Sequence, residues 1–88
     1  MDAQTVLMKL KTICSDDYAK TTSLNQLYKD VIENYKFIHD NVSNDLYMSL
    51  HTEVDCVYYE IRLGDGEYDD MIFNDCIEVL KQVIKALE

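Results

Sequence analysis

From Asp2 to Ser15 the apolar residues Ala3, Val6, Leu7, Leu10, Ile13 and Cys14 recur at spacings of three and four, with Lys9 and Lys11 on the other side. That pattern is one face of a helix, and Asp2 stands where an N-cap belongs. The next segment, "SDDYAKTTS", carries turn formers and no apolar period, so a polar connection is expected there. Ser23 with Gln26 three residues on makes a capping box. It precedes Leu24, Leu27, Tyr28, Val31, Tyr35, Ile38 and Val42, the cleanest stripe in the chain, which predicts a second helix.

"HDNVSND" then gathers Asp40, Asn41, Ser43, Asn44 and Asp45, short polar side chains that compete for backbone hydrogen bonds and favour caps over helix interiors. A break is expected there. The stripe resumes in phase through Leu46, Leu50, Val54, Val57, Tyr58 and Ile61, so one long bent helix is the alternative. Gly64 is expected in the left-handed position just past the end of this third helix. Glu67, Asp69 and Asp70 stand where a fourth begins, a placement the helix dipole favours, with Lys81 and Lys85 toward its other end. Its stripe is Ile72, Phe73, Cys76, Ile77, Leu80, Val83, Ile84 and Leu87. Four helices, or three if the middle pair is continuous, predict an all-α fold, a small antiparallel helical bundle.

Phase also sorts the aromatic residues. Tyr58 continues the third stripe and is expected in the core with its hydroxyl reaching outward, and Tyr28 and Tyr35 are expected in the core as well. Tyr59, one position round, should be exposed. Phe37 and Met48 lie off their stripes, as part of a wider buried face or as exposed contacts, with burial expected in so small a bundle.

A chain of 88 residues makes one domain, 1–88, with one core. It is 48% hydrophobic and has no proline, so it should fold and nothing forbids long helices. Cys14, Cys56 and Cys76 are scattered and odd in number, which fits three buried thiols in a reducing compartment. Asp2 precedes any lysine and the first apolar residues are spaced along a face, so no signal peptide is expected. No apolar run approaches the roughly 20 residues of a membrane span, and a cytoplasmic protein is expected.

Eight basic and seventeen acidic residues give a net charge of -9. That balance repels phosphate backbones and anionic lipid, which argues against direct nucleic-acid or membrane binding. The acidity belongs to the second half: residues 1–42 carry net -1 and residues 43–88 net -8.

Much of it lies in and around "IRLGDGEYDD", Ile61 to Asp70. Read as a calcium loop from Asp65, this stretch places Glu67 and Asp69 well but puts Asp70 where glycine is needed and Cys76 where glutamate is needed. A loose divalent-cation site over Asp65 to Asp70 is the most it supports, and no metal or other cofactor is assigned. A turn between helices explains both glycines and most of the acids. It does not explain how far the acids extend, from Glu53 to Asp75 against Arg62 alone, nor why Tyr58, Tyr59 and Tyr68 are interleaved with them. Like charges so crowded repel one another, and tyrosine is enriched where proteins grip one another. Asp55, Tyr58, Tyr59, Glu60, Asp65, Glu67, Tyr68, Asp69 and Asp70 are the candidate partner-binding residues. No catalytic residue is assigned: His39 and His51 have no second ligand at zinc spacing, and there is no phosphate loop or nucleophile elbow. His51 and Asp55, at i and i+4, suit an ordinary helix-surface pair.

"DCVYYE", Asp55 to Glu60, resembles the Asp-x-aliphatic-Tyr-Tyr segment of the immunity proteins that neutralise nuclease bacteriocins. The length, the acidity, the expected four-helix bundle and a tyrosine pair about thirty residues from the C-terminus are similar too. The sequence departs from that family at Glu60, where the family has proline in a very short helix. The resemblance implies an inhibitor that binds a basic partner, such as a toxin nuclease, through Asp55, Tyr58 and Tyr59. A phage-type inhibitor that mimics nucleic acid with carboxylates would act alike without being a relative. The alternative is a self-associating helical module, a homodimer with no catalytic role, burying Phe37 or Met48.

Overall fold

The computed structural model describes residues 2–88, and among these every regular element is a helix. Six are present: α1 (Ala3–Ile13), α2 (Asp16–Thr21), α3 (Leu24–Glu33), α4 (Tyr35–Asn41), α5 (Asn44–Leu63) and α6 (Asp69–Leu87). The chain packs into a body of 36 × 27 × 18 Å.

Four of the starts are written locally. Asp2 Oδ1 accepts from the Thr5 N–H at 2.8 Å, and the Ser15, Ser23 and Ser43 hydroxyls accept from Tyr18, Gln26 and Leu46 at 3.3, 3.2 and 3.2 Å. Each bond satisfies a donor that the first turn leaves open, worth about 1 kcal/mol. The start of α6 has no such side-chain cap and carries Asp69 and Asp70 in its first turn instead.

The stripes fill one core. Val6, Leu10 and Ile13 of α1, Leu24, Leu27 and Val31 of α3, Ile38 of α4, Leu50, Val54 and Val57 of α5, and Phe73, Cys76, Ile77, Leu80, Val83 and Ile84 of α6 are all buried. Each buried aliphatic side chain stabilises by about 1.5–3 kcal/mol before the entropy of ordering it. α5 and α6 turn back on each other through residues 64–68 as a helical hairpin, against which α3 packs on α5 and α1 on α6.

Several expectations are corrected. The polar connection "SDDYAKTTS" contains α2, which buries no residue but is anchored by Tyr18, whose hydroxyl donates to Asp30 Oδ2 at 2.5 Å. The second stripe is two helices, because the Asn34 N–H bonds to the Val31 carbonyl one residue short of the regular partner. The Asp30 carbonyl left open by that shift accepts from the Asn34 side-chain amide at 2.9 Å. Asn34 is 2% exposed, and its Oδ1 has no partner. The break expected before α5 is present, at Val42 and Ser43.

Gly64 is not left-handed: its φ is -79° and ψ 166°. It is the lack of a side chain that matters there, since the Glu60 carboxylate lies where a Cβ would be. Gly66, with φ +91°, takes the left-handed turn. Met48 is 47% exposed rather than buried, whereas Phe37 does pack against the core. Of the three thiols expected inside, Cys76 is buried, Cys14 half-buried and Cys56 exposed.

Candidate functional site

At about 100° per residue, α5 directs its predicted contact residues three ways. The buried stripe of Leu50, Val54 and Val57 faces the core. Asp55 and Tyr58 lie on the flank toward α3 and α4, Tyr59 points directly away from the core, and Glu60 lies on the flank toward the α5–α6 turn.

Tyr58 is therefore not a core residue. It is 37% exposed, and its ring lies 5.6 Å from Tyr28 of α3 and 5.7 Å from Tyr59. Arg62 Nη1 donates to its hydroxyl at 3.0 Å, with the guanidinium 5.6 Å from the ring centroid. The base nearest the acidic turn in sequence is thus engaged by a tyrosine on its own helix. Tyr59 is 59% exposed, as its phase predicts.

Asp55 is tied inward. Its Oδ2 lies 3.4 Å from His51 Nε2, the helix-surface pair expected from their spacing, and His51 Nδ1 lies 2.9 Å from the Tyr35 hydroxyl on α4. A neutral imidazole can accept from the tyrosine and donate to the carboxylate in one arrangement. Burial first, then Tyr47 and Asp55, push the Tyr35 hydroxyl above the ordinary tyrosine range. Tyr47 completes the group, 4.6 Å edge-on from His39 and 5.2 Å from Tyr35. Sequence reading missed this cluster because its members come from two helices and no local spacing joins Tyr35 to His51.

The other candidates gather at the α5–α6 turn. Asp65 Oδ1 accepts from the Glu67 N–H at 3.0 Å, and Asp65, Glu67 and Asp70 are exposed. Tyr68, 53% exposed, closes the turn immediately before α6. Asp69 and Asp70 line a cleft of about 270 Å³ with Thr22, Ser23, Leu24 and Phe73, between the α2–α3 junction and the first turn of α6. Glu60 folds its carboxylate over Gly64, and its Oε1 is buried without a hydrogen-bond partner. None of Asp65, Glu67, Asp69 and Asp70 enters an ion pair among the described residues.

The turn also exposes apolar residues that sequence reading did not single out: Leu63, 81% exposed, and Met71, 55% exposed. The signal was present, since Leu63 falls off the α5 stripe one turn after Tyr59.

Among the described residues no group of three or more His, Cys, Asp or Glu side chains is arranged to hold a metal ion, and no helix is long and apolar enough to cross a membrane. No protein-family model, curated protein or solved structure matches this chain.

Proposed function

We propose that this chain is a small acidic protein-binding inhibitor, of immunity or phage type, that occludes a basic partner such as a nuclease or another nucleic-acid-binding protein. One observation carries the reading: at the α5–α6 turn Asp65, Glu67 and Asp70 are exposed and enter no ion pair among the described residues, and Tyr59 and Tyr68 expose their rings at the same end of the hairpin. Such a surface attracts a basic protein at long range and offers rings that grip it at contact. It works by covering the partner's substrate site, without catalysis or cofactor, and in the cytoplasm. With α3 and α4 counted as one bent arm and α2 as part of a connection, we read the six helices as an antiparallel four-arm bundle. This supports a working likeness to the nuclease immunity proteins, while α5, a 20-residue helix running through Glu60, differs from the short helix of that family.

The test is a pull-down with the tagged protein at low salt, eluted by a salt step, beside the variant carrying Tyr59→Ala, Asp69→Asn and Asp70→Asn. The expected result is a basic protein that elutes with salt from the parent and is missing from the variant, whose helicity stays close to the parent's and whose Tm falls only by what the two first-turn charges of α6 contribute. Retention of the same proteins by both would sink the assignment. A dimeric mass by light scattering, with only the bait recovered, would move it to a self-associating module.

A further inference from the structure

Exposed apolar side chains concentrate at this end of the hairpin. On α5, Tyr59 and Leu63 are one turn apart on the side opposite the core, and on α6 Met71 faces away from the core stripe of Phe73, Cys76 and Leu80. The exposed Cys56 lies one turn before Tyr59, and its thiol is raised by partial burial first, then by Glu53 and Asp55 of its own helix and Asp75 of α6. Scattered exposed apolar residues are normal, but several on adjoining outer faces at one end of a hairpin form a patch. Exposed carboxylates flank it along the chain, Asp55 one turn before Tyr59, Glu67 in the turn and Asp75 one turn after Met71, while Asp70 lines the cleft on the α2–α3 side; the one base close by in sequence, Arg62, is turned to Tyr58.

Resting on the reading above, we infer that the outer seam of the α5–α6 hairpin seats an amphipathic basic helix of the partner, its apolar residues on Tyr59, Leu63 and Met71 and its lysines or arginines on the surrounding carboxylates. The charge argument selects the partner's sign, and the apolar strip inside the acidic rim selects an amphipathic segment over a purely basic one. The carboxylates then govern the encounter rate and its salt dependence, and the apolar contacts govern dissociation.

The experiment titrates the intact protein into two fluorescent probes of equal charge, an 18-residue leucine/lysine peptide patterned as an amphipathic helix and an oligolysine. The parent is expected to bind the patterned peptide at least about tenfold more tightly, since burying one large apolar side chain is worth about a decade of affinity. The pair Leu63→Ser and Met71→Ser, which leaves the charge unchanged, should remove that preference and leave oligolysine binding as it was. Bound patterned peptide should slow iodoacetamide labelling of Cys56 several-fold. Equal affinity for both probes would overturn the inference and leave the acidic-surface reading standing; binding of neither would overturn both. Dimerisation of the parent that the serine pair abolishes would assign the seam to a second copy and overturn the inference.

Discussion

Tyr18→Phe isolates what holds α2 in place. A six-residue segment cannot sustain a helix alone, because nucleation costs more than so few bonds return. α2 buries no residue, so its order depends on the Ser15 cap and on Tyr18, which is half-buried, lies 6.3 Å ring to ring from Phe73 and donates to Asp30 at 2.5 Å. Phenylalanine keeps the ring and removes that hydrogen bond. A hydrogen bond to a charged acceptor contributes about 1.5–3 kcal/mol, and the lower end applies here because Asp30 is half-exposed, keeps Gln26 at 2.9 Å and can be rehydrated. With a urea m-value of about 1 kcal/mol/M for a chain this small, the midpoint should fall by about 1.5 M. A double-mutant cycle with Asp30→Ala should return most of the loss as coupling between the two residues. Amide exchange should quicken over α2 before any other helix. A midpoint shift below about 0.5 M, or no coupling in the cycle, would refute Tyr18 as the anchor.

Gly66→Ala should destabilise by about 1–2 kcal/mol because of its φ of +91°, whereas Gly64→Ala asks only that the flexible Glu60 side chain swing away and should cost well under half as much; urea titration of both variants ranks them. In the native protein iodoacetamide should label Cys56 first, since burial pushes Cys14 to about 11 and Cys76 to about 12; equal rates by mass spectrometry would contradict the burial. These thiols, and the Tyr18 and Tyr35 hydroxyls, are raised on folding, so the stability they contribute is whole below the ordinary thiol pKa of 9.0 and is lost as pH climbs toward their folded values. The urea midpoint should therefore fall steadily above about pH 9, and a flat profile to pH 11 would count against it.

Local signals were legible and non-local ones were not. The caps at Asp2 and Ser23 and the stripe residues of α1, α3, α5 and α6 can be read directly, because a cap spans three residues and a stripe records its own period. α2 was hidden because its fixed point, Asp30, lies on another helix. The break at Asn34 was hidden because Val31, Tyr35 and Ile38 stay in phase when one backbone bond shifts from Asp30 to Val31. Two glycines announced the turn after α5 but not their division of labour: Gly66 takes the left-handed conformation, and Gly64 leaves the room the Glu60 carboxylate fills. At the candidate site, Tyr59 was placed by phase alone. Tyr58 was misjudged because it sits at the edge of the stripe, where a neighbour such as Tyr28, not the period, decides how much is covered.

Asp55, Tyr58, Glu60, Asp69 and Asp70 also serve the fold, whereas Glu67 and Asp75 do not, and that separation can be made to give opposite signs in two assays. Glu67 precedes α6 outside its first turn, Asp75 lies in the interior of α6, both are exposed, and neither has an ion-pair partner among the described residues. Replacing both by lysine removes repulsion from a surface that carries most of the net charge of -9 without touching the core. Exposed charge pairs are worth about 0.2–1 kcal/mol each, so the double variant should gain a few tenths to about 1 kcal/mol at low salt, and lose the gain near 1 M salt, where the Debye length is about 3 Å. A surface selected only for solubility would permit that change freely. A surface that meets a basic partner would not: the same variant should bind the patterned leucine/lysine peptide more weakly and with a shallower salt dependence. Higher stability with undiminished binding would show that the charge at this end of the hairpin serves the chain's own solubility and nothing that docks there.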